Sequence, residues 1–221
     1  MSSTVSLMDF DCCTSDRAST IAEPLNDNGT IRANLFYNTL NTSYINIALR
    51  TAHAADPCAK LYINDYNLER AGKLALCGFR DNNEVFTSGP KIDAMVQLVE
   101  DLLAAGAPIH GIGFESHLIL GEVYPSELRT NMERITALGL EVAITELDDR
   151  MELPATAANL EQQKADYMSV VQACVAVSGC VGVTVWDYTD KVRSAASFTL
   201  LFALIICIIV LLDSRILSWL W

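Results

Sequence analysis

Residues 139–150 read GLEVAITELDDR. Val142, Ile144 and Leu147 suit a buried strand, yet the run ends on Glu146 with Asp148 and Asp149 close behind it. Carboxylates crowded at the end of an apolar strand repel one another, so something must offset them there. On the N-terminal side, PSELRTNMERITALG (125–139) opens on Pro125, repeats Leu128, Met132 and Ile135, and closes on Gly139. That spacing predicts a helix with proline in its first turn and glycine at its end. On the C-terminal side, 159–177 place Leu160, Tyr167, Met168, Val171, Cys174 and Val175 along one helical side, and CVGVTVWDYTD (180–190) reads as the next strand.

The same rhythm continues upstream. A helical pattern runs from about 35 to 54, with Tyr44, Ala48 and Ala52 on one face and Ile45 and Leu49 beside it. KLYIND (60–65) alternates like a strand, KIDAMVQLVEDLLAAG (91–106) is an amphipathic helix, and IHGIGFESH (109–117) is a strand. Strand and helix in strict alternation call for parallel βα units. The strand ends collect polar and aromatic residues: Asn64-Asp65, Glu115-Ser116-His117, Glu146-Leu147-Asp148 and Trp186-Asp187. In parallel α/β folds that C-terminal face carries the chemistry.

At 221 residues, one domain is the default. Fifteen basic against twenty-seven acidic residues give a net charge of −12, which argues against a nucleic-acid partner. The seven cysteines contain no C-x-x-C pair and no nearby histidine pair, so no metal site is read from them. Cys174 and Cys180 sit six residues apart across a helix-to-strand turn. They read either as a local disulfide, implying an oxidising compartment, or as two buried thiols. The N-terminus MSSTVSLMDFDCC has neither a basic segment nor an apolar one, so it does not read as a signal peptide.

Five motifs in series, EPLNDNGTIRANLFYNTL (23–40), KLYINDYNLE (60–69), GIGFESHLILGE (111–122), EVAITELD (141–148) and GVTVWDYTDK (182–191), resemble the second half of a family-10 glycoside hydrolase, the endo-1,4-β-xylanase family. The resemblance implies an α/β fold, a partial (β/α)8 barrel holding about strands 5–8 with their helices. It implies retaining hydrolysis of xylan or xylo-oligosaccharides by two glutamates, without cofactor or metal, in an extracellular setting. On it, Glu146 matches the nucleophile and Glu23 the acid/base. Asp148 matches the aspartate that pairs with the preceding strand-end histidine, here His117. Glu115 stands where the family has a Gln or Glu touching the nucleophile or the sugar. Trp186 matches the tryptophan walling the reacting-sugar subsite, and Tyr66 and Asn67 line the cleft on the leaving-group side. Ala22 and Asp149 depart from the pattern: the family has an asparagine and usually an aliphatic residue at these positions.

The resemblance ends at about residues 23 and 191, leaving an unmatched segment over 1–22 and an unmatched apolar tail over 192–221. The tail permits a membrane-anchor reading over about 195–212, although its charge-free core is short for a bilayer of about 30 Å. Translated non-coding sequence is the preferred reading, because the resemblance stops abruptly at both ends. The chain is therefore expected to be a truncated xylanase with little activity of its own. A non-catalytic xylan-binding relative and a membrane-tethered half-barrel are the competing readings.

Overall fold

The computed structural model of the chain describes residues 17–70 and 89–186. Its elements run β1 (Arg17–Ala22), α1 (Leu35–Leu40), α2 (Ser43–Ala55), β2 (Lys60–Asp65), α3 (Pro90–Ala104), β3 (Gly111–Phe114), β4 (His117–Ile119), α4 (Pro125–Thr136), β5 (Glu141–Arg150), α5 (Ala157–Val175) and β6 (Cys180–Val185). Every pairing between these strands is parallel, in the order β1-β2-β3-β5 with β6 on the far side of β5 and β4 along its end. The architecture is thus an open parallel α/β sheet. The tail from 192 onward, with its 195–212 segment, lies outside the described residues, as do Asp187 and most of the 1–22 segment. No helix among the described residues is long and apolar enough to cross a membrane.

The helices follow the sequence periodicity. Ile92, Met95, Val99 and Leu102 bury one stripe of α3, and Leu128, Met132 and Ile135 do the same for α4. They pack with Ile63, Ile112, Phe114, Val142 and Ile144 from the strands into one apolar core. Burying a side chain of this size is worth about 1.5–3 kcal/mol, so each stripe is sufficient to dock its helix.

Four sequence expectations change. The 35–54 helix is two helices, because Asn41 turns left-handed (φ 55°) and its side chain accepts the Thr42 N–H; apolar spacing cannot reveal such a break. The 109–117 strand is likewise interrupted, by Ser116 at φ 60°, so that β3 and β4 pair successive parts of β5. Residues 17–22, which the sequence left without an element, form β1 and pair with β2. Finally, α5 buries Cys174 as expected but exposes Met168 and Val175, and it buries Gln163, Asp166, Val170 and Ala173 in their place. Its inner face is partly polar because it meets the polar end of β5: Gln163 donates to the Asp149 carbonyl, and Asp166 accepts the Gly121 N–H.

Cys174 and Cys180 form a buried disulfide with Cα atoms 5.4 Å apart, tying the end of α5 to the start of β6. Of the two readings open from sequence, the structure thus has the bridge.

Asp149 is fully buried, and neither of its side-chain oxygens finds a donor. Burial first, and then the neighbouring Asp166 and Asp148 charges, push its carboxyl up to about 7. When protonated it can donate to Asp166, which resolves the apparent orphan. An acid whose pKa is raised on folding costs nothing below its unfolded value of about 4. Stability then falls as pH rises from about 4 to about 7, and levels off above that window. Asp149→Asn supplies a permanent donor, so it should stabilise the chain by about 1–3 kcal/mol at pH 8 and by nothing measurable near pH 4. Thermal unfolding of the full chain at the two pH values checks this. An equal gain at both would contradict it.

Candidate active site

The site lies where β2, β3 and β5 end. From Phe114 to His117 the chain advances three residues, whereas β5 advances four between their partners Ile144 and Asp148. The extra residue is a bulge, and a bulge re-aims the side chain beside it. Glu146 sits inside this bulge, its N–H bonded to the Glu115 carbonyl at 3.1 Å. That is how an acid leaves the alternation of an apolar strand and faces the strand ends.

Asn64 organises the cluster. Its amide nitrogen donates to Glu146 Oε1 at 2.9 Å and to Glu115 Oε1 at 3.1 Å, and its oxygen accepts from the Thr145 hydroxyl at 2.5 Å. Gly113 leaves room for it: a Cβ there would lie 2.2 Å from Asn64 Oδ1. His117 completes the arrangement, with Nδ1 3.0 Å from Asp148 Oδ1 and Nε2 facing Glu146 Oε2 at 3.4 Å and Glu115 Oε2 at 3.5 Å. Trp186 stands edge-on to the imidazole, ring centres 5.9 Å apart, and is 43% exposed, so an aromatic face remains open beside the acids.

Burial pulls the His117 pKa down, but the bonds to Asp148 and Glu146 and the charges of Asp148 and Glu115 outweigh it and raise it to about 10. An imidazolium therefore stands at the centre of the acids near neutral pH, and it offsets the repulsion that the sequence poses. For Glu115, burial and then the Glu146 and Glu23 charges push the carboxyl up to about 8. Glu115, His117 and Glu146 offer ligand-type atoms within 4.8 Å of one another. In its protonated form the ring has no lone pair to give, and the trio is then an ion cluster.

A second network lies beside the first. Asp65, fully buried, bonds Lys91 Nζ at 2.8 Å and accepts the N–H groups of Leu25 and Tyr66. Burial raises its pKa to about 6 against the pull of Lys91, so it is ionised at neutral pH. Lys91 Nζ lies 3.4 Å from the Tyr66 ring centre, and Arg32 donates to the Tyr66 hydroxyl at 2.7 Å. Arg32 also pairs with the carboxylate of Glu23. Glu23 follows β1 directly, its N–H bonded to the Asn64 carbonyl at 2.7 Å, with a left-handed backbone (φ 52°). A non-glycine residue held at such an angle is a strained position of the kind that gathers at functional sites.

The structure thus brings Glu115, His117, Glu146, Asp148 and Trp186 into one cluster and sets Glu23 at the neighbouring strand end, in the grip of Arg32. Tyr66 belongs to the Arg32–Lys91 network. Asn67, also left-handed, bonds Asp27 at 3.2 Å. Sequence reasoning gave Asn64 and Asp65 a place at a strand end but no role, and passed over Lys91 and Arg32. The signal for Asn64 was its place at a strand end; nothing local marked the two cations.

The family model described as Glycosyl hydrolase family 10 matches residues 19–202. Endo-1,4-beta-xylanase A of Phanerodontia chrysosporium is 52% identical over 171 residues, 77% of this chain and 38% of that protein. An endo-1,4-beta-xylanase of Agaricus bisporus is 46% identical, over 77% of this chain and 46% of its own length. The chain thus spans less than half the length of these curated relatives. Among solved structures, native xylanase 10B from Thermotoga maritima superposes with a TM-score of 0.72 at 27% identity, covering 85% of this chain and 55% of that one. A GH10 xylanase from Bispora sp. MEY-1, solved with xylobiose, gives 0.69 at 34% identity over 81% and 52%.

Proposed function

The chain belongs to glycosyl hydrolase family 10, and on that premise we propose that it forms part of an endo-1,4-β-xylanase that cleaves xylan with retention of configuration. One observation carries the proposal: at the open end of a parallel sheet, the Glu146 carboxylate is held between an amide donor and an imidazolium, beside the half-exposed face of Trp186. In the proposed first step, Glu146 attacks the anomeric carbon of the sugar while Glu23 protonates the departing glycosidic oxygen. A glycosyl ester on Glu146 results. Glu23, now a base, takes a proton from water, which attacks the same carbon and returns the carboxylate.

Each neighbour has a part in this reading. Asn64 and His117 fix the Glu146 carboxylate, and Asp148 fixes the His117 ring. Trp186 stacks on the C–H face of the xylose ring. Tyr66 and Asn67 lie towards the leaving group, and Arg32 must release Glu23 before the proton can move. The Cys174–Cys180 bridge favours an oxidising, extracellular setting. The described sheet corresponds, in this proposal, to part of a (β/α)8 barrel, with residues 23–191 as the catalytic portion.

Among the described residues, β1 and β6 each pair on one side only. In this proposal a chain that spans less than half the length of its relatives forms only part of the sugar cleft, so the 221-residue chain alone should release reducing sugar from xylan far more slowly than those relatives. A chimera joining this chain to the upstream segment of a relative tests the reaction itself. Proton NMR of freshly formed xylo-oligosaccharides should show the β-anomer first. The α-anomer appearing first would refute double displacement.

A further inference from the structure

Two carboxylates in the cluster, on Glu115 and Glu146, share the same two partners. Each takes one N–H of the Asn64 amide, at 3.1 and 2.9 Å, and each faces His117 Nε2, at 3.5 and 3.4 Å. Their surroundings differ in one respect. The Glu115 side chain is 4% exposed and Glu146 is 21% exposed. Were both ionised, three carboxylates would surround one imidazolium in a confined space, because Asp148 already holds Nδ1. The charge is better balanced if the more buried member keeps a proton.

We propose that Glu115 is a positioning residue that acts as a neutral carboxylic acid, holding Asn64 and His117 in place for an ionised Glu146, and that its ionisation in alkali disables the site. The proposal rests on the reading of Glu146 as the nucleophile. Neutral, Glu115 does what an amide would do: it accepts from Asn64 and adds no charge. Ionised, it competes with Glu146 for both donors and repels it across the shared amide. The charged groups around it are Glu146 from β5, Asp65 from β2, His117 at the start of β4 and Glu23 beyond β1. Burial dominates, the three acids add to it, and only His117 opposes them, consistent with a carboxyl that releases its proton at about 8. The direction follows: as pH rises through that value the proton leaves and the alignment fails.

The test is a carbon-13 NMR titration of the full chain with side-chain carboxyl-labelled glutamate. One resonance should titrate near pH 8 and vanish in Glu115→Gln. The Glu146 resonance, assigned through Glu146→Gln, should show a second step at that same pH, and the step should be gone in Glu115→Gln. The Glu146→Gln chain gives an independent reading: removing the neighbouring charge should move the Glu115 midpoint down by about one pH unit. A role in packing alone would produce neither coupled step. Glu115 titrating with ordinary glutamates at about 4–5 would overturn the proposal, as would a Glu146 signal with no step near pH 8. Failure of the nucleophile reading shows elsewhere, as a trapped sugar on a residue other than Glu146, and leaves these titrations unchanged.

Discussion

Glu146→Gln, in the chimera with the upstream segment of a relative, should lower xylan turnover by at least about 10³-fold while leaving xylan binding largely intact. The substitution keeps the shape of the side chain and a carbonyl oxygen for Asn64. It removes the negative charge facing His117 and the oxygen that, in the proposed reaction, forms the glycosyl ester. In the proposed reading binding rests on other groups, Trp186 among them, so KM should move little while kcat collapses. Turnover at a tenth of the wild-type rate would end the assignment.

Glu23→Ala should behave differently, and the contrast is the informative part. The acid matters most when the leaving group is poor, so xylan hydrolysis should fall by about 10²–10⁴-fold. An aryl xyloside with a good leaving group needs no proton, so it should still form the glycosyl-enzyme and then stall for want of a base. Azide, small enough to enter the space vacated by Glu23 and in need of no general base, should restore turnover and yield a β-glycosyl azide. Equal losses on activated and unactivated substrates, without azide rescue, would remove Glu23 from the mechanism. The Arg32 contact gives this experiment added weight, because the described conformation holds Glu23 in an ion pair rather than poised as a free acid.

Much of the architecture was legible because parallel βα units impose two clear periods on the sequence. Ile92, Met95, Val99 and Leu102 announce α3, and Ile135 and Gly139 announce where α4 stops, whatever lies elsewhere in the chain. The breaks were not legible. At Asn41 and Ser116 the backbone turns left-handed while the apolar pattern runs on, and a pattern of side chains carries no record of φ. Met168 and Val175 were misplaced for a related reason: α5 packs on the polar end of β5, so hydrophobicity alone could not find the polar part of its inner face.

The site divides in the same way. Glu146, Glu115, His117, Asp148 and Trp186 stood out because strand ends are where a parallel sheet gathers polar groups. Asn64 was undervalued because its importance lies in contacts across the sheet, to residues 51 and 82 positions away in the chain. Arg32 and Lys91 reach Glu23 and Asp65 from a loop and from a helix start, and only the folded chain shows what they hold. The bulge that turns Glu146 towards the strand ends is likewise a matter of register between strands rather than of residues within one.

The central claim is that Glu146 forms a covalent bond to the sugar, and trapping that bond tests it most directly. A 2-deoxy-2-fluoro xylobioside with a good leaving group slows both steps, and the second more, so the glycosyl-enzyme of the chimera should accumulate. Mass spectrometry of the intact protein should show one added fluoroxylobiosyl group. Peptide mapping should place it on the side chain of Glu146, and Glu146→Gln should take up none. A label on Glu115, Glu23 or any other residue, or a Glu146→Gln protein labelled as readily as the wild type, would contradict the account.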